Sequence, residues 1–232
     1  MIMNKIEKNR IIVKQSIKEG LFEISKMWIR LFGVKDTFYF KEGGRNKKLF
    51  LAYHNCGTNT EERISERGVE LSIAQWWIEK VNNEFVEVGA VTPYYKKLYK
   101  KHDVIDPYDS HKEVSEKKSL FDIDFAGKNV LTISTLEHVG TGDYNLSTKE
   151  NCVNAIKKIL HESKKCLITF PMGYNTRLDE YVKKNSAKYS NVSMTIYKRG
   201  LLDNNWKICK CIKQEFYYGP LGANAICVLM KL

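Results

Sequence analysis

The residues best suited to chemistry in this chain stand at the ends of short apolar runs. Glu87 and Gly89 end one such run, and Asp106 ends the next one along the chain. We predict a strand, a tight turn at Gly89, a brief helical segment and a second strand within residues 84–109. A glycine in the turn lets the backbone approach a ligand, and a carboxylate at the second strand's tip can accept hydrogen bonds from ribose hydroxyls. This unit indicates a nucleoside site, and it occurs in oxidoreductases as well as in transferases.

The elements around this unit follow an α/β pattern. Strand-like and helix-like segments alternate from about residue 84 to 190, which predicts a mostly parallel sheet with helices on both faces. The tail predicts an antiparallel hairpin at one edge. Further strands are predicted at 48–53, 118–125, 129–134, 165–170, 191–197 (an edge strand), within 206–218 and at 223–230. Helices are predicted at 11–32, 61–81, 148–163 and 178–187, and loops at 43–48 and 140–143.

The domain organisation predicted from these patterns is a single compact core with an extension. Residues 1–78 are expected to form a helical extension or cap, and residues 79–232 a seven-stranded Rossmann-like core. No stretch approaches the roughly 20 consecutive apolar residues of a membrane helix. The first residues are too charged for a signal peptide. We therefore expect a cytoplasmic protein whose six cysteines are reduced thiols.

The net charge of +11 is the strongest bulk feature of the sequence. The positive charge is mostly lysine, with only seven arginines, and it is spread along the chain. Clustered arginines and interleaved aromatic residues, which mark nucleic-acid recognition, are missing from the sequence pattern. We expect a solvated basic surface, so nucleic acid is an unlikely partner. No cysteine or histidine spacing typical of a structural metal site appears.

Several segments resemble the class I S-adenosylmethionine-dependent methyltransferases, in particular small bacterial members associated with surface-glycan modification. The resemblance covers about residues 50 to 230, and its most specific part is Ile133-Ser134-Thr135-Leu136-Glu137-His138-Val139-Gly140. The other matching segments are 66–70, 86–89, 104–106, 121–124, 127–132 and 171–175 with Asp179. One departure is Val91, which replaces the second glycine of the family's usual first turn.

The resemblance implies S-adenosyl-L-methionine as the cofactor and gives each residue a role toward it. Gly89 would lie under the methionine moiety, Glu87 would meet its ammonium, and Asp106 would accept the ribose hydroxyls. Asp122 would accept from the adenine amino group, with Asp124 competing for this role, and Ile123 would pack on the ring. Ser134 and Thr135 would face the cofactor. For Glu87 the alternative is a carboxylate that caps the turn.

Methyl transfer to a hydroxyl needs a group that removes a proton, and the resemblance places His138 where that base would lie. Glu137 could replace or orient it, and His138 could instead contact only the cofactor or cap the next turn. The acceptor is expected to be a small sugar-linked or phosphorylated molecule of polysaccharide or capsule biosynthesis, with no metal required. The candidate acceptor-pocket residues are Tyr53, His54, Arg67, Glu70, Tyr174 and Asn175.

Two other functions are compatible with parts of the sequence. The first is a nicotinamide-dependent oxidoreductase that uses the same opening unit. Against it, the chain lacks a full Gly-x-Gly-x-x-Gly turn for a pyrophosphate and lacks a Tyr-x-x-x-Lys pair after the fourth strand. The second is a non-enzymatic basic module that binds nucleic acid or a partner protein. The oligomeric state does not follow from the sequence.

Overall fold

A computed structural model of the chain describes nine stretches. They are residues 37–42, 45–50, 65–95, 100–142, 151–185, 191–200, 205–210, 215–219 and 222–232. The predicted helix at 11–32 lies outside these stretches, as do residues 96–99 of the predicted helical segment. Tyr53 and His54, two of the candidate acceptor residues, also lie outside them.

Seven of the eleven described strands form one mixed sheet. In chain order the eleven strands are β1 Thr37–Glu42, β2 Arg45–Phe50, β3 Val86–Val88, β4 Asp103–Ile105, β5 Asn129–Ile133, β6 Lys165–Pro171, β7 Ser193–Arg199, β8 Trp206–Ile208, β9 Tyr218–Gly219, β10 Gly222–Ala223 and β11 Ala225–Lys231. The order across the sheet is β4-β3-β5-β6-β11-β7-β8. The pairs on the β4 side of β6 are parallel, and those from β6 to β8 are antiparallel.

This sheet confirms the α/β class, the seven strands and an antiparallel C-terminal part. It corrects the expectation of a mostly parallel sheet, because half of the pairings are antiparallel. Two of these pairings come from β11, which inserts between β6 and β7 and pairs with both, and the third joins β7 to β8.

Helices cover both faces of the sheet, as predicted. The three α-helices are α1 Arg67–Lys80, α2 Cys152–Glu162 and α3 Thr176–Asn185. The period of two along a strand sends alternate residues of β11 to opposite faces. Ile226, Val228 and Met230 pack in the cluster that contains α1, whereas Cys227 and Leu229 pack in the cluster that contains α2 and α3. The predicted domain boundary after residue 78 falls within α1, which shares the core of the sheet.

A two-stranded hairpin of β1 and β2 packs on the α1 side. Phe38 and Phe40 are buried, and Phe40 stacks on Tyr197 and lies 4.7 Å from Trp76, measured between ring centroids. Residues 45–48 are strand, so the predicted loop at 43–48 is wrong over that part. The sequence pattern did not indicate this strand because β2 is polar and mostly exposed. In a hairpin that packs on a core, one strand can remain polar.

Two further strand predictions are corrected. Residues 118–125 contain a 3-10 helix, Leu120–Asp122, in place of the predicted strand. Just before this segment, Glu116 forms an isolated bridge with Ile105 of β4. The Ser119 hydroxyl accepts a hydrogen bond from the Phe121 N–H, a local contact that competes with strand pairing. β7 is not an edge strand, because β8 pairs with its outer side. Within the described residues no helix is long and apolar enough to cross a membrane.

Candidate functional site

A cavity of about 380 Å³ opens where β3, β4 and β5 end. The chain passes from β3 to β4 on one side and then to β5 on the other, so β3 is a topological switch point. Ligands of open α/β sheets bind in the crevice outside the carboxyl ends of strands at such a point. The residues that line the cavity are Arg67, Val88, Gly89, Ala90, Val91, Ile105, Asp106, Pro107, Tyr108, Asp109, Ser119, Leu120, Phe121, Ser134, Thr135, His138 and Val139.

Gly89 forms the floor of the cavity together with Thr135. Gly89 has a φ of +88°, and a Cβ at this position would lie 2.0 Å from the Thr135 Oγ1 atom. Only glycine satisfies both conditions, since other residues rarely adopt this φ and would collide with the threonine. The structure therefore places Gly89 and Thr135 in contact, both facing the space where the sequence predicted the cofactor.

Asp106 lies at the tip of β4, as predicted, and its carboxylate is already engaged with backbone. Its Oδ2 accepts the Ala90 N–H at 3.1 Å, and its Oδ1 accepts the N–H groups of Tyr108 and Asp109. A carboxylate has about four acceptor positions, so these three bonds leave capacity for one ligand hydroxyl. Asp109, which the sequence did not single out, adds a second carboxylate to the same wall and accepts from the Tyr94 hydroxyl at 2.9 Å.

Glu87 does not line the cavity. It is fully buried on the α1 side of the sheet. Its carboxylate accepts the N–H groups of Val91 and Thr92 and the Thr92 hydroxyl, and it lies 2.9 Å from the His102 Nε2. These are the contacts of a carboxylate that caps the turn after β3, the alternative to a role in cofactor binding. His102 itself is buried and stacks on Phe85.

The apolar wall of the cavity comes from the 3-10 helix at Leu120–Asp122. Leu120 and Phe121 line the cavity, while the Asp122 side chain is exposed and Ile123 packs in the core behind it. The two residues predicted to meet the adenine therefore lie just outside the lining. The sequence predicted a strand here. The observed 3-10 helix places Leu120 and Phe121 in the cavity lining, and not Asp122 and Ile123.

On the opposite side, α1 brings Arg67 and Glu70 to the end of β5. The Arg67 Nη1 lies 3.5 Å from the Glu70 Oε2, and Glu70 is fully buried. The Ser134 hydroxyl donates to both Glu70 oxygens at 2.8 Å. Ser134 has a φ of +41°, which is a strained conformation for a serine. Arg67 and Glu70 thus meet Ser134, a residue predicted to face the cofactor.

His138 and Glu137 lie together beside the cavity mouth. His138 lines the cavity, and its Nδ1 lies 3.1 Å from the Tyr174 hydroxyl. Its Nε2 is 3.8 Å from the Glu137 Oε1. The Tyr174 ring in turn packs edge-on against the Tyr218 ring, with centroids 4.9 Å apart. The predicted base and the predicted acceptor residue Tyr174 are therefore in contact.

Asn175 has a structural role in this wall. Its side-chain oxygen accepts the N–H groups of Arg177 and Leu178 at the start of α3. Its amide nitrogen donates to the Glu137 carbonyl at 2.8 Å. Asn175 therefore caps a helix and fixes the segment that carries His138, and it does not line the cavity.

Three buried carboxyl groups lie next to one another behind the cavity. Burial raises the pKa of Glu66 to about 7, with a further contribution from the nearby Glu70. Burial also raises the pKa of Glu70, against the opposing effects of Arg67 and Ser134, and it raises that of Glu137 well above its usual range. The Glu137 Oε2 has no hydrogen-bond partner within the described residues. Desolvation thus favours the neutral form of all three acids.

Within the described stretches, no group of three His, Cys, Asp or Glu side chains could hold a metal ion. The four described cysteines, Cys152, Cys166, Cys209 and Cys227, form no disulfide with one another.

No family model, curated protein or solved structure matches the chain.

Proposed function

We propose that the protein is an S-adenosylmethionine-dependent methyltransferase with a Rossmann-like core. The observation that carries this proposal is the cavity at the ends of β3, β4 and β5, which contains Gly89 and Asp106. The order of the seven strands supports it as well, because β4, β3, β5, β6 and β7 run in one direction around a switch point at β3.

The residues in the cavity fit the parts of this cofactor. Asp106 and Asp109 offer carboxylate oxygens to ribose hydroxyls, and Leu120 and Phe121 offer an apolar surface to an adenine ring. A volume of about 380 Å³ is within the usual range for a small-molecule site. When bound, the cofactor supplies an electrophilic methyl group on a sulfonium.

The same geometry speaks against a nicotinamide dinucleotide. A pyrophosphate is bound at the N-terminus of the helix that follows the first turn. Here the described segment after Gly89 is a three-residue 3-10 helix, Thr92–Tyr94. Val91 also stands where the usual turn has a second glycine, which lets the backbone approach a pyrophosphate.

The chain's contribution to the reaction is to align an acceptor and take up its proton. His138 is the proposed general base, since it lines the cavity and an imidazole can accept a proton near neutral pH. Glu137, whose Oε1 lies 3.8 Å from the His138 Nε2, is proposed to orient the imidazole ring. Tyr174 holds the ring from the other side.

The proposed acceptor is an uncharged sugar hydroxyl. The wall beyond His138 contains Tyr174 and Tyr218, and aromatic faces with a few polar groups suit a sugar ring. Of the two acceptor classes expected from the sequence, the sugar-linked one is favoured.

Thermal shift with three nucleoside ligands tests the proposal. S-adenosylhomocysteine should raise the unfolding temperature in a concentration-dependent way, because a ligand that binds only the folded state stabilises it. NAD should have no effect, and adenosine should have a smaller one. Stabilisation by NAD alone would favour the oxidoreductase. No response to any nucleoside, together with salt-sensitive RNA or DNA binding, would favour the nucleic-acid module.

A further inference from the structure

We propose that Arg67 binds the α-carboxylate of the cofactor's methionine moiety, and that Glu70 and Ser134 hold its guanidinium in place. This inference rests on the proposed function and adds to it the group that recognises the charged end of the ligand. The sequence placed Arg67 and Glu70 in the acceptor pocket, which is a different role.

Arg67 lines the cavity. It is the first residue of α1, and its side chain is 25% exposed. Its Nη1 is buried and lies 3.5 Å from the Glu70 Oε2, so this nitrogen is directed toward the protein interior. A carboxylate is the acceptor that a guanidinium binds best, in a two-pronged geometry. A carboxylate in the cavity would meet the part of the guanidinium that Glu70 does not occupy.

Glu70 and Ser134 set the orientation of Arg67. Glu70 lies one helical turn further along α1, is fully buried and contacts Nη1 at 3.5 Å. The Ser134 hydroxyl donates to both Glu70 oxygens, from a backbone held at a φ of +41°. Backbone strain at a ligand site is typical of residues kept for a functional contact. These contacts from Ser134 to Glu70 and from Glu70 to Arg67 therefore position one cation beside the cavity.

The placement of Arg67 matches a ligand with two different ends. Asp106 follows β4, Ser134 follows β5, and β3 lies between these strands. Two strand spacings separate the two strand ends by about 10 Å. Carboxylates that accept hydroxyl groups thus stand on one side and Arg67 on the other. Arg67 is also the only arginine or lysine among the described lining residues. A ribose and an amino-acid carboxylate can be bound at the same time.

The experiment compares S-adenosylhomocysteine with methylthioadenosine, which has the same nucleoside but lacks the amino-acid end. Affinities of both ligands are measured by calorimetry for the wild-type protein, Arg67→Gln and the control Arg177→Gln. Arg177 is an exposed residue of α3 away from the cavity lining. The wild type should prefer S-adenosylhomocysteine by about tenfold or more, as expected for a hydrogen-bonded charge pair. Arg67→Gln should lose most of this preference, while its affinity for methylthioadenosine should stay within about twofold.

Each other result has a definite meaning. An unchanged preference in Arg67→Gln, or an equal loss of both affinities, would overturn the inference and leave the nucleoside site standing. Binding of neither ligand by the wild type would overturn the proposed function and the inference together. If Arg67→Gln does not fold, Arg67→Lys replaces it and should retain only part of the preference, because an ammonium lacks the planar fork. Glu70→Gln should reduce the preference as well, since it releases the guanidinium.

Discussion

At the scale of single residues, the side chains around the cavity divide into those that face a ligand and those that hold the framework. Asp106 does both, because it ties the loops after β3 and β4 together and still reaches the cavity. Glu87 and Asn175 are framework residues whose polar atoms are used by backbone groups. Position next to a glycine turn is therefore not enough to identify a ligand-binding acid. The direction of the side chain decides, and it alternates along a strand.

The contrast between Asp106 and Asp122 can be tested by two matched substitutions. Asp106→Asn should weaken S-adenosylhomocysteine binding about tenfold or more, because a charged acceptor for a ribose hydroxyl is replaced by a neutral one. Asp122→Asn should leave the affinity nearly unchanged, since the Asp122 side chain is exposed outside the lining. Calorimetry measures both. Equal affinity of Asp106→Asn and wild type would remove Asp106 from the ribose role, and a large loss in Asp122→Asn would restore the adenine role of Asp122.

The role of His138 requires a separation of turnover from binding. His138→Ala should slow methyl transfer by about 10²- to 10⁴-fold, the usual contribution of a general base. Its affinity for S-adenosylhomocysteine should change little, because Asp106 and the apolar wall remain. Turnover is followed as release of S-adenosylhomocysteine with the best acceptor from a panel of glycosides. A parallel fall of affinity and turnover would make His138 a binding residue, and unchanged turnover would leave it without a chemical role.

At the scale of elements, the parts predicted well are those whose pattern is locally unambiguous. The strands β5, β6 and β11 are continuous apolar runs, and α2 has an apolar face and a capping asparagine, Asn151. The polar strand β2 and the helical turn at Leu120–Asp122 were missed, because their conformations depend on contacts with distant parts of the chain. The same limit applies to the site. Gly89, Asp106 and His138 were identified from the sequence, whereas Asp109, Phe121 and Glu66 needed the fold.

The start of α1 carries a prediction about pH. The folded-state pKa of Glu66 is about 7 against an ordinary 4.5, so the folded state holds its proton more tightly than the unfolded chain. This contribution to stability is present below about pH 4.5 and is lost as the pH rises to about 7. Two and a half pKa units correspond to an upper limit on the order of 3 kcal/mol. Ionised Glu66 is thus a liability at pH 8, and a neutral group of the same shape should remove it.

Glu66→Gln should therefore stabilise the protein at pH 8 by on the order of 1–3 kcal/mol and have little effect at pH 5. Glutamine retains an oxygen that can accept the Ala223 N–H now bound by Glu66. The free energy of unfolding in urea at the two pH values measures the effect. Glu79→Gln, an exposed position in the same helix, is the control and should show no such difference. Destabilisation at pH 8 would show that the carboxylate is needed in its ionised form.

At the scale of the whole molecule, charge and architecture are separate properties. The full sequence has a net charge of +11. Among the described residues that line the cavity, however, Arg67 is the only lysine or arginine. The excess of lysine thus says little about the cavity ligand, and the expectation of a solvated basic surface stays a prediction.

The architecture depends on the end of the chain, because β11 lies inside the sheet. It joins the parallel half, which carries the cavity, to the antiparallel half.

Removal of β11 should therefore abolish the fold rather than trim an edge. Six residues of β11 pair with β6 and six pair with β7, and the residues from Ile226 to Met230 are at most 4% exposed. Burial of one large apolar side chain contributes about 1.5–3 kcal/mol, so the loss of this strand approaches the 5–15 kcal/mol that stabilise a typical domain. A chain ending at residue 224 should show no cooperative unfolding by circular dichroism. A chain lacking only Leu232, which is 53% exposed, should unfold like the wild type. Cooperative unfolding of the shorter chain would mean that the parallel half, with its cavity, folds without the strand that joins it to the rest of the sheet.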